Sequence, residues 1–201
     1  METVNNRVIG TVLAMLTCIP VAAQAPSSWV DDQTVQRQLT AGDVAVQISF
    51  DNDQSRMRVR AAVKINASPD AIWHVLTDCE HAATFIPGVK RCRRIETAPD
   101  NSWEVFEQEV KYSWFMPSVS CVIRANYKRP LQIDFKRVSG DLKEEDGAWM
   151  LIPVAPNETL LEYDVHVDPG FWIPHVLLRH SLRSELPAAL TALRSHAEHP
   201  Q

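Results

Sequence analysis

Residues 63–90 read VKINASPDAIWHVLTDCEHAATFIPGVK, and the changes of period inside that run decide the fold. Up to Ile65, the apolar positions Met57, Val59, Ala61, Val63 and Ile65 alternate with Arg56, Arg58, Arg60 and Lys64, as on a long amphipathic strand. Ser68 then stands as a helix N-cap, with Pro69 at the first helical position, where its missing N–H loses no bond. Ile72, Val75 and Leu76 share one face of the helix that follows. A second short helical piece, EHAATF, closes at Pro87 and Gly88, and beyond it the period returns to two.

Working outward, residues 31–40 predict a short helix ending at Gly42, and Val44, Val46 and Ile48 alternate along a first strand. A turn at Asp51 to Gln54 joins that strand to the next as a hairpin. Downstream come KRCRRIE, WEVFEQEVKY, SVSCVIRANYK, LQIDFKRVS, AWMLIPV and TLLEYDVHV, separated by turn residues such as Pro99-Asp100-Asn101, Arg129-Pro130, Ser139-Gly140 and Pro156-Asn157. Six such runs predict an antiparallel meander. Pro174 opens a last helix to about His196, with Leu177, Leu178, Leu182, Leu186, Leu190 and Leu193 as its stripe and a kink expected at Pro187. The class is α+β, with about seven to eight strands, two short helices after an early strand and a long C-terminal helix.

Composition bounds the function. A chain of 201 residues, 45% of them hydrophobic, suits one domain with one core, and a net charge of -5 argues against a nucleic-acid partner. Residues 1–23 read as a signal peptide: Arg7, then the apolar run VIGTVLAMLTCIPVAA, then small residues at Val21 and Ala23. The expected organisation is therefore a leader over 1–23, an N-terminal extension with a short helix over 24–42, and a domain over 43–198 in a periplasmic or secreted protein. Export leaves Cys79, Cys92 and Cys121, an odd number. A Cys79–Cys92 bridge would close a short loop and add about 3 kcal/mol, with two buried thiols as the competing reading.

Three strings resemble the START-like superfamily, which includes the polyketide cyclase/dehydrase and coenzyme Q-binding groups: residues 63–90, GAWMLIPVAPNETLLEYDV (147–165) and PGFWIPHVLLRHSLRSELPAALTALR (169–194). Ala67, Pro69, Ile72, Trp73, Asp78, Phe85 and Pro87 match the family's pattern around the small helices, while Cys79 stands where an aromatic residue is common. The resemblance implies a helix-grip fold, a curved sheet wrapped around the C-terminal helix, and an apolar cavity that binds lipid-like or polycyclic molecules.

The residues themselves point to a similar site, because one helix cannot fill the concave face of a curved sheet. The expected ligand-binding set is Phe85, Phe106, Tyr112, Trp114, Phe115, Phe135, Trp149, Tyr163, Phe171, Trp172, Leu177 and Leu178. The Trp114-Phe115-Met116 turn and the Gly170-Phe171-Trp172 loop stand out as a cavity mouth or a surface for transient membrane contact. Glu107, Glu109 and Arg124 either form a polar group inside the cavity or a ladder of charges outside it, since one residue of register reverses the face. Glu162, Asp164 and His166 are expected to face water, and His74, Asp78, Cys79 and His81 to form a solvated helix face rather than a metal site. No nucleophile elbow, zinc-protease helix or phosphate loop is present, so neither a cofactor nor a metal is implied. The function this favours is a monomeric, exported carrier of a hydrophobic molecule, a lipid, quinone or polyketide-like ring system. The alternative is an aromatase/cyclase-type enzyme with acid and base groups in the cavity.

Overall fold

The computed structural model describes residues 29–51, 55–111 and 117–199. The expected leader, and Tyr112, Trp114 and Phe115 of the expected binding set, lie outside the described residues. The described residues form eight strands: β1 (Ala45–Phe50), β2 (Met57–Ile65), β3 (Val89–Thr97), β4 (Trp103–Val110), β5 (Val119–Lys128), β6 (Gln132–Gly140), β7 (Glu144–Ala155) and β8 (Glu158–Asp168). They make one antiparallel sheet in the order β1-β2-β8-β7-β6-β5-β4-β3. The meander is consecutive from β3 to β8, and the β2–β8 pairing joins the N-terminal hairpin to its end.

Among the described residues four α-helices accompany the sheet: α1 (Gln33–Thr40), α2 (Pro69–Thr77), α3 (Ala82–Phe85) and α4 (His175–Glu198). The Ser68 hydroxyl caps α2 by accepting the Ala71 N–H at 3.3 Å, and the Thr159 hydroxyl ties β8 beneath it by donating to the Ala67 carbonyl at 2.8 Å. α4 lies across the inner face of the sheet. Leu178, Leu190, Leu193 and Ala197 are buried there against Val59, Val63, Ile65 and Ile72, and the helix continues through Pro187. Its C-terminal end is held by three polar or aromatic contacts. Phe85 stacks on His196 at 4.1 Å, Glu198 accepts the Asn66 N–H at 2.7 Å, and Arg194 donates to the Gly42 carbonyl at 2.7 Å. Among the described residues no helix is long and apolar enough to cross a membrane.

The outer face of β1, β2 and β8 carries a second small core. Val30 and Leu39 pack there on Ala45 and Ala62, with Trp29, Val35 and Leu160 around them. Asp32 caps α1 by accepting from the Thr34 and Val35 N–H groups. This cover corrects one expectation, because Glu162 does not face water. It is buried beneath Trp29, which hydrogen-bonds its carboxyl, and burial raises that carboxyl's pKa. Asp164 takes the Arg58 guanidinium instead, with Nε at 2.8 Å.

Candidate functional site

Between the inner face of the sheet and α4, along the helix from Leu178 to Leu193, lies a cavity of about 300 Å³. That is enough for a small apolar ligand. Of the residues expected to line it, Phe106, Phe135, Trp149, Tyr163, Phe171 and Leu178 do so. Tyr163 is the hub of the aromatic wall, with Trp149 at 4.3 Å and Phe135 stacked at 5.9 Å between ring centroids. Gly147 makes room for this packing. A Cβ there would lie 2.9 Å from Phe135 Cζ and run into the Asp164 carbonyl oxygen, so only glycine lets β7, β8 and the ring approach so closely.

Other expectations are corrected. Phe85 is not among the lining residues, being occupied by His196. Leu177 is 44% exposed and Trp172 is 84% exposed. On a helix one inward position leaves its neighbour outside, and Leu178 takes the inward one. Trp172 instead borders an adjoining hollow formed with Phe50, Arg56, Lys143 and His175.

Glu107, Glu109 and Arg124 lie on the outer face. The inward residues of β4 are Glu104, Phe106, Gln108 and Val110, so the odd positions point away. Glu107 pairs with Arg91 at 3.5 Å and Arg93 at 3.1 Å, Glu109 sits opposite Arg91 and Ser120 in the ladder, and the Arg124 guanidinium stacks over Trp103 at 4.0 Å. They form the outer ladder of charges.

The polar groups that do face the cavity are ones sequence reasoning missed. Glu104 is 5% exposed, and its carboxylate accepts from Arg94 Nε at 2.7 Å and from the Tyr127 hydroxyl. Burial, and then that bond to a carboxylate, push the Tyr127 phenol far above its ordinary pKa, while Trp73 packs edge-on against its ring at 5.3 Å. A further buried carboxyl is that of Glu145, on β7. It is 9% exposed, and burial pushes its pKa up to about 7 against the smaller opposing effects of the Cys121 thiol and the Arg137 charge. Gln108 lines the same wall, opposite the buried Cys121 of β5.

A sequence signal existed for Glu104, Gln108 and Tyr127, since each is in phase with inward apolar neighbours, Phe106 or Ile123 and Ala125. Glu145 carried less. The strand expected from Ala148 in fact begins at Glu144, so Glu145 fell in what read as a turn.

Cys79 and Cys92 form a disulfide, Cα to Cα 5.2 Å, that ties the chain after α2 to β3 and lines the cavity; Cys121 is a buried free thiol. Asp78 pairs with His81 Nδ1 at 2.8 Å, His74 lies beside Arg129, and among the described residues no three His, Cys, Asp or Glu side chains are grouped to hold a metal ion.

This architecture recurs in solved structures. A STAR-related lipid transfer protein from Xanthomonas axonopodis superposes with a TM-score of 0.67 at 19% identity, covering 78% of this chain and 94% of the other. The Zhui aromatase/cyclase from Streptomyces sp. R1128 gives 0.60 at 18% identity, covering 71% and 94%. Human STARD10 gives 0.63 at 12% identity, covering 86% and 80%. No curated relative matches the chain. The family model described as polyketide cyclase/dehydrase and lipid transport matches residues 65–194, more than half of the sequence, and the chain therefore belongs to that family.

Proposed function

We propose that this protein is an exported carrier that holds a hydrophobic small molecule, a lipid, quinone or polyketide-like ring system, between its sheet and α4. The observation that carries this reading is the cavity itself. It is walled by Phe106, Phe135, Trp149, Tyr163 and a row of aliphatic side chains that its own core leaves unfilled. The Cys79–Cys92 disulfide supports export, because such bonds persist in oxidising compartments. Loading takes place at a membrane surface through the rim, where Phe171, Trp172, Val176 and Leu177 are exposed next to Arg179 and His180. The carrier acts as a monomer.

A second reading, catalysis of the aromatase/cyclase kind, draws on Glu145, a carboxyl poised to exchange its proton near neutral pH inside the cavity. Turnover of a poly-ketone chain by the wild type, lost in Glu145→Leu, would favour it.

Solvent extraction of the natively produced protein, followed by mass spectrometry, is expected to release a bound apolar molecule, or the empty protein to take up a hydrophobic fluorophore. Phe171→Ala should weaken that uptake by about tenfold, since the ring lines the cavity at its rim. A protein that yields no ligand and takes up no probe is not a carrier.

A further inference from the structure

The cavity wall is not uniformly apolar. Where the sheet's inner face is mainly hydrocarbon and aromatic, Gln108 of β4 and Glu145 of β7 add polar side chains to the lining, and the buried Cys121 of β5 lies behind them. Gln108 has no hydrogen-bond partner among the described residues, which leaves an amide facing the cavity with unused donors and an unused acceptor. Val167 lies opposite Glu145 on β8 and offers it nothing polar. From β5 the Cys121 thiol reaches its carboxyl, from β6 Arg137 contributes only a charge, and Arg137 Nε is itself buried with no partner among the described residues. Ser181 and Glu185 of α4 line the same cavity from the other side.

Resting on the carrier reading above, we infer that Glu145 and Gln108 are the specificity-determining pair of the cavity, and that they select an apolar ligand bearing a carbonyl oxygen by donating hydrogen bonds to it. A protonated carboxyl has two different ends. Its carbonyl oxygen accepts from the Cys121 thiol, and its hydroxyl is left to donate. An apolar site that holds an unused donor discriminates strongly in favour of a ligand with an acceptor, because the donor is otherwise buried unpaired. A pure hydrocarbon would fill the same volume and leave both donors unmet.

The proton state then controls the choice. Burial holds the Glu145 carboxyl up at about 7, so below that pH it donates, and above it a carboxylate faces the ligand oxygen and repels it. Arg137 and Cys121 act to lower that value, Glu185 adds no donor, and Ser181 already has a partner of its own.

The test compares a methylated naphthoquinone with the methylnaphthalene of the same ring skeleton, by displacement of a hydrophobic fluorophore. At about pH 5.5 the wild type should prefer the quinone by about tenfold, and by about pH 8.5 that preference should largely disappear. Glu145→Gln, which keeps a donor and cannot ionise, should retain the preference at both pH values. Glu145→Leu should lose most of the preference and all of its pH dependence, with its fold checked by thermal melting, and Gln108→Leu should reduce the preference without changing its pH dependence. Equal binding of the two molecules by the wild type, a preference that ignores pH, or one that keeps its full size in Glu145→Leu would overturn the inference while leaving the carrier reading intact. Failure of both molecules to bind at either pH would overturn the carrier reading, and this inference with it.

Discussion

Glu104 and Glu145 are both acids on the inner face of one sheet, both nearly inaccessible to solvent, and the structure treats them in opposite ways. Glu104 sits on β4 near the sheet edge, where Arg94 of β3 brings a cation to 2.7 Å and Tyr127 of β5 adds a hydroxyl, so its oxygens are occupied. Arg94 is fastened in turn to Glu80 and to the Thr77 carbonyl, both at 3.4 Å, which joins β3 to the end of α2. Glu145 sits further along the sheet with a thiol for company and, among the described residues, no ion pair. A closed network fixes the position of elements, whereas an open one keeps a hydrogen-bonding group available. Burial alone therefore does not mark a functional acid; the number of its partners does.

The largest effect expected from this contrast is at Glu104. Glu104→Ala leaves Arg94 without its main acceptor and Tyr127 with a buried, unpaired hydroxyl. Because Arg94 is 36% exposed and can be rehydrated, the loss should be about 2–3 kcal/mol rather than more. Urea unfolding measures it. A variant within error of the wild type would mean that the network does not hold β3 to α2.

Next comes Glu145, whose effect depends on pH. Its folded pKa of about 7 lies above the ordinary glutamate value of 4.5, so the native state binds the proton more tightly than the unfolded chain. The stability this provides is fully present below about 4.5 and is lost as the pH rises through about 7, a change of about 3 kcal/mol from this group. In Glu145→Gln that contribution vanishes, so the stability of the variant relative to the wild type should increase steadily between those limits and level off beyond them. Parallel urea titrations across that range suffice. Identical pH dependence in the two proteins would place the Glu145 titration outside the window and remove the contrast with Glu104.

The same two residues show how far sequence alone reaches. Strand and helix positions were legible because each element carries its own period: the alternation from Met57 to Ile65, the cap at Ser68 and the leucine stripe of α4 are local signals with local causes. The aromatic wall followed from the same alternation. What escaped was whatever depends on a neighbour distant in the chain. Glu162 read as a solvent-facing residue until Trp29 covered it, and Leu177 read as a core residue until Leu178 took the place. The face of β4 was the costliest ambiguity. Its run of alternating acids allows two readings that differ by one residue, and the Arg94–Glu104 bond decides between them.

The smallest expected effect isolates that choice of face. Glu107 is three residues from Glu104 on the same strand, carries the same charge and also pairs with arginines, at 3.1 and 3.5 Å from Arg93 and Arg91. It differs in pointing outward, with its partners more than half exposed. Water can replace either arginine there, so the ion pairs are worth little, and Glu107→Gln should change the unfolding free energy by less than about 1 kcal/mol. Salt should narrow even that, since screening acts on exposed charges and spares the buried Arg94–Glu104 contact. Fluorophore uptake should be unchanged, because no atom of Glu107 reaches the cavity. A Glu107→Gln variant that lost several kcal/mol, or that altered ligand uptake, would mean that the strand presents its other face inward. The roles assigned to Glu104, Gln108 and Phe106 would then pass to their neighbours.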